Sequence, residues 1–134
     1  MTYNITDIQG IGPEFHEKFK LANVHTTDDF LKVTADDTSM RKFCETTGLS
    51  ENLVVKWTKM ARLMNVKGVG PQYAELLYAS GVESVEKLRE QRPEDLLRRL
   101  GEVNATKKLT AALPQLSDIV KWKEHVSTTP QPVR

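Results

Sequence analysis

Gly10-Ile11-Gly12-Pro13 and Gly68-Val69-Gly70-Pro71 are one four-residue unit written twice, 58 residues apart. The flanks repeat at the same offset: Phe15 matches Tyr73, Phe19 matches Leu77, Val24 matches Val82, Thr26 matches Ser84 and Phe30 matches Leu88. Agreement that runs beyond the glycines marks an internal duplication, so each copy informs the other. Two glycines build a hairpin that can take positive φ and let a foreign backbone come close. Proline suits the first position of a following helix, where its missing N–H would have been unpaired anyway. The unit predicts a tight turn whose free amides, including those of Ile11, Gly12, Val69 and Gly70, face outward at a helix N-terminus. Such a turn suits an anion such as phosphate.

Outward from the hairpins the chain reads as helix after helix, with no sustained period-two alternation of the kind a half-buried strand needs. A short helix around Ile5–Gln9 leads into the first hairpin, and a second from Pro13 carries Phe15, Phe19 and Ala22 on one side. Thr26 with Asp29 resembles a capping box ahead of Phe30, Leu31 and Val33. Asp36 or Asp37 caps a helix through Met40, Phe43 and Cys44 that Gly48 ends. Ser50 caps the longest helix, Glu51–Met64, whose Leu53, Trp57, Met60 or Ala61 and Met64 follow helical spacing. The second copy predicts helices at Pro71–Ser80, Ser84–Gln91, Pro93–Leu100 and Ala105–Leu113. Pro114 breaks the chain, Ser117 caps a final helix with Ile119, Val120 and Trp122, and Ser127–Arg134 reads as a loose polar tail. The expected units are 1–62, 63–126 and a flexible tail over 127–134.

The two hairpins resemble the helix-hairpin-helix motif, a short helix, a Gly-aliphatic-Gly hairpin and a second helix that carries apolar residues into the turn. The spacing is also similar to an uncharacterised bacterial family known as a domain of unknown function, over about Ile5 to Val126. The resemblance implies an all-α fold of two fused helix-hairpin-helix repeats in a compact helical bundle. It also implies a function, since many members of that superfamily hold a DNA phosphate on the hairpin amides. Some add a monovalent cation held by hairpin carbonyls, and others use the hairpin only for packing. Members that bind DNA often carry Lys or Arg just after the Pro; here stand Glu14 and Gln72. Glu14 and Glu17 would repel a phosphate, and His16 replaces the small residue that Ala74 keeps in the second copy.

Charge points the same way. The net charge is +1, whereas strong nucleic-acid binders are usually basic. Residues 1–62 hold 8 Lys/Arg against 9 Asp/Glu, while residues 63–134 hold 11 against 9. The expected DNA contacts are Lys67, Gly68, Val69, Gly70 and Gln72 at the second hairpin, with Arg98, Arg99, Lys107 and Lys108. Gly10, Ile11 and Gly12 form a weaker first site. A helix-turn-helix template over 43–57 would instead aim Ser50, Glu51, Asn52, Val55, Lys56 and Lys59 at a major groove, although any αα-hairpin with a Gly turn gives this pattern.

Other chemistries find little support in the sequence. His16, His25 and His125 lack metal-ligand spacing. Asp28/Asp29 and Asp36/Asp37 sit where helix N-termini favour negative charge. Neither a nucleotide-cradling loop ending in Lys-Ser/Thr nor a serine nucleophile elbow occurs. The expectation is a protein that is not an enzyme, with no cofactor, metal or small-molecule substrate. The lone Cys44 reads as a small buried apolar residue, in keeping with a reducing, cytoplasmic setting. No apolar run is long enough to span a membrane. The runner-up is a helical adaptor that binds protein, or itself, with purely structural hairpins. For it, Trp122 between Lys121 and Lys123 is the natural anchor.

Overall fold

Short polar side chains set where most helices begin. A computed structural model describes residues 3–128 of the chain. A single 3-10 turn, Ile5–Asp7, precedes the first hairpin, and α1 follows at Pro13–Leu21. Thr26 accepts from the amide of Asp29 at 3.1 Å while Asp29 accepts from the amide of Thr26 at 3.2 Å, which starts α2, Thr27–Val33. Asp36 accepts from the Ser39 amide at 2.7 Å ahead of α3, Asp37–Thr47. Ser50 caps α4, Glu51–Met64, through the Leu53 amide at 3.3 Å. The second hairpin opens α5, Pro71–Ala79. Ser84 caps α6, Val85–Glu90, through the Lys87 amide at 3.1 Å. Next come α7, Pro93–Lys107, and α8, Leu116–Thr128. The expected all-α class holds.

Three local expectations need correction. The leading segment is one 3-10 turn rather than a helix over Ile5–Gln9, because Ile8 turns extended and the Ile5 amide donates to the His25 carbonyl at 2.9 Å. Pro93–Leu100 and Ala105–Leu113 are not separate helices. One helix runs through Gly101, since the apolar stripe of Leu96, Leu97, Leu100 and Val103 continues across it and packs on the core. Lys108 ends that helix in the left-handed region at φ 53, and residues 108–115 are irregular. The Asn104 side chain holds this loop by a pair of 3.0 Å hydrogen bonds to the backbone of Thr110. The last helix starts before Ser117: Asp118 accepts from the Gln115 amide at 2.8 Å, and the helix reaches Thr128 into the expected tail. The rest of that tail, 129–134, lies outside the described residues.

Packing repeats with the sequence. In the first half α2 and α3 lie on α4, and α1 lies on α3; in the second, α6 and α7 lie on α8, and α5 lies on α7. The contact of α4 with α5 joins the halves into one core. Phe19, Phe30, Phe43 and Trp57 cluster in the first half at ring separations of 5.4–5.8 Å. Leu77 and Leu88 take the places of Phe19 and Phe30 in the second, both fully buried. Burying each such side chain contributes about 1.5–3 kcal/mol.

Candidate nucleic-acid interface

Each hairpin is closed by its own backbone. The Ile11 amide donates to the Ile8 carbonyl at 3.1 Å and the Val69 amide to the Val66 carbonyl at 2.9 Å. Gly10 and Gly68 sit at φ +96 and +91, as the third position of a type II turn requires. This corrects the expected donor set. The amides of Ile11 and Val69 are spent inside the turn, and their side chains are buried. The unspent donors lie one step on, at the uncapped starts of α1 and α5: Gly12, Glu14 and Phe15, then Gly70, Gln72 and Tyr73.

Beneath each turn lies a tryptophan that the motif reading did not place there. A Cβ on Gly68 would stand 2.9 Å from Nε1 of Trp122, and one on Gly10 would stand 3.5 Å from Nε1 of Trp57. Trp122 packs at 5.5 Å on the ring of Tyr73, and Trp57 at 5.1 Å on that of Phe15. The two tryptophans are 65 residues apart, so they fall out of step with the 58-residue repeat. The structure brings them back into equivalence because α7 and the loop after it are longer than their counterparts, α3 and 48–50. The second glycines differ from the first. Gly12 and Gly70 are extended, at φ −91 with ψ −172 and −174, and a Cβ on either meets nothing within 4 Å.

The basic residues divide into two groups. Lys67 is exposed beside the second turn. The loop after α7 folds over the start of α5: the Thr110 hydroxyl donates to Gln72 at 3.4 Å, and the Tyr73 hydroxyl donates to the Ala112 carbonyl at 3.2 Å. Lys107 and Lys108, both exposed, lie three and two residues before Thr110 in the chain. Arg99 donates to the Ser80 carbonyl at 3.4 Å, at the far end of a helix about 13 Å long. Arg98 is paired with Asp95 at 3.6 Å and Glu102 at 3.8 Å. Arg98 and Arg99 thus stand away from the hairpin. At the base of the same turn, Asn65 has a buried side-chain oxygen without a partner. The first hairpin carries exposed Glu14 and Glu17, the latter bridged to Lys20 at 3.4 Å.

The groove-reading face over 50–59 is partly covered. Val54 and Trp57 are buried, while Lys59 pairs with Glu83 at 3.0 Å and Lys56 lies 5.8 Å over the Tyr78 ring. Burial pushes the Cys44 thiol up, with Glu51 adding to the effect. Among the described residues no group of His, Cys, Asp or Glu is arranged to hold a metal ion, and no helix is long and apolar enough to cross a membrane.

No curated protein and no solved structure matches this chain. The model of a family described as a domain of unknown function, DUF4332, matches residues 9–128, from the first hairpin to the end of α8. The chain belongs to that family.

Proposed function

We propose that this family member is a non-enzymatic tandem helix-hairpin-helix module that grips the backbone of duplex DNA without reading its sequence, through the second hairpin. The observation that carries the reading is Gly70. Its extended backbone is open to any residue, and the space beside it is empty. Thr26, Asp36, Ser50 and Ser84 show that this chain supplies capping side chains freely elsewhere. A glycine that folding does not demand, at a helix start left uncapped, suits close approach by an outside group. A phosphate fits the free amides of Gly70, Gln72 and Tyr73 at the positive end of α5. Lys67, Lys107 and Lys108 add charge at that end; Arg98 and Arg99 do not belong to this site.

A helical adaptor is the second reading, favoured by exposed Leu113, Leu116 and Val120 where the loop meets α8. Fluorescence anisotropy on random-sequence duplex separates the two. The expected result is micromolar binding that weakens steeply with salt as counterions are released. It should fall at least tenfold in Gly70→Val and in Lys67→Glu with Lys107→Glu and Lys108→Glu. Absence of binding at low salt, or affinity indifferent to these changes, would leave the adaptor.

A further inference from the structure

Helix α5 has a neighbour that α1 lacks. In the second half α5 packs on α7 and on the fourteen-residue α4. In the first half α1 packs on α3, and the place of α4 is held only by the three-residue turn Ile5–Asp7. That turn stands for the end of α4 alone: the Ile8 amide donates to the Ile5 carbonyl at 3.3 Å, as the Val66 amide does to that of Leu63 at 3.0 Å. Before Ile5 the chain turns away, extended at Asn4, to pair with Thr26. The face of α1 that answers to the α4-covered face of α5 is therefore open. Glu75, Tyr78 and Ala79 are half-buried on α5, whereas Glu17, Lys20 and Leu21 at the same places on α1 are exposed. Leu21, at 70%, is the most exposed large hydrophobic among the described residues.

Helix α8 shows the converse. It is the counterpart of α4, with Trp122 in the role of Trp57, which sets Val120 against Val55, Lys121 against Lys56 and His125 against Met60. Val55 is half-buried and Met60 fully buried, whereas Val120 is exposed and His125 half-buried. Charge matches the two open faces. Between α4 and the second half, Lys56 lies over the Tyr78 ring and near enough to Glu75 to lower its pKa, and Lys59 meets Glu83 at 3.0 Å. The same places on α8 and the first half carry Lys121 with Glu17, and Glu124 with His25. The first pair keeps its signs, and the second sets a carboxylate against an imidazole. Glu17 already holds Lys20 at 3.4 Å in an exposed pair of small worth, and its carboxylate has room to accept from a second cation.

We infer that α8 of one copy of this chain docks on α1 of a second copy, as α4 docks on α5, with Lys121 beside Glu17 and with Val120 and Leu21 covered. The contact joins unlike faces, so copies add head to tail. The docked length is 116–127, because Thr128 answers to Leu63, whose place Ile5 fills. This inference stands independently of the backbone-binding reading.

Sedimentation velocity on the full chain over a wide concentration range tests it. The weight-average mass is expected to rise with concentration past that of a pair. Val120→Glu spoils only the α8 face and Leu21→Glu only the α1 face; both positions are exposed, and far-UV circular dichroism checks that the fold is kept. Each variant alone is expected to remain a single chain. Their equimolar mixture should reach the mass of a pair and stop, since it holds one intact face of each kind. Lys121→Glu should also lower association, and adding Glu17→Lys to it should restore it. A mass that stays at one chain throughout, or levels off at a pair in the unaltered protein, overturns the inference. So does a Leu21→Glu variant that assembles while Val120→Glu does not, which would mean that α8 pairs with α8. A mixture no larger than either variant alone overturns it too.

Discussion

Gly68 and Gly70 stand two residues apart and answer to different forces. Gly68 is held at φ +91 with an indole 2.9 Å from where a methyl would go. Gly68→Ala should cost about 2–4 kcal/mol, combining left-handed strain with displacement of Trp122. Gly70→Ala should change stability by under about 1 kcal/mol, in the stabilising direction, because the unfolded chain loses freedom and the fold loses nothing. Urea denaturation of the two variants checks the contrast, and equal losses would refute it. Glu75 offers a pH counterpart. Burial raises its pKa, with Lys56 partly opposing, so the folded state holds its proton more tightly than the unfolded chain does. The stability this gives is present in acid and disappears as pH rises through the folded value. Glu75→Gln should therefore raise Tm at neutral pH, with the gain vanishing below the ordinary glutamate range. Asp29 works in the opposite sense. The His25 amide leads in lowering its pKa, so its contribution is present at neutral pH and lost in strong acid.

Elements were legible where a side chain announced them and obscure where packing decided. Thr26, Asp36, Ser50 and Ser84 cap helices by local hydrogen bonds, and those starts were readable from residue type alone. Gly101 misleads because glycine looks like a stop, yet Leu100 and Val103 keep the helix on the core through it. The real stop, Lys108, is left-handed without being glycine, so nothing in the sequence flagged it. Both positions are improvable. Gly101→Ala should stabilise α7 by about 0.5–1 kcal/mol, since a methyl there meets Leu113 at an ordinary 3.6 Å. Lys108→Gly should stabilise by a similar amount by removing left-handed strain. Thermal melts of each variant test this, and a lower Tm in either would contradict the geometry. The site was half legible for the same reason. Hairpin glycines show in sequence, whereas the tryptophans beneath them are displaced from the repeat by extra residues in α7 and the loop after it.

At the scale of the whole molecule, duplication has not produced two independent bodies. Trp57 reports on the first half and Trp122 on the second, and the α4–α5 contact ties them together. Trp57→Phe and Trp122→Phe, each leaving one reporter, should show fluorescence midpoints that coincide with far-UV circular dichroism of the same variant. Separate transitions would mean the halves unfold apart. The shared helix also has a mechanical meaning. Because α4 carries the tryptophan of one hairpin and runs almost directly into the other, it acts as a shaft that sets their relative phase. One residue inserted between Trp57 and Gly68 in helical conformation would turn one hairpin about 100° relative to the other while separating them by only 1.5 Å or so. Spacing along this shaft is coupled to angle, so evolution can lengthen the outer loops gradually but can lengthen α4 only in whole turns.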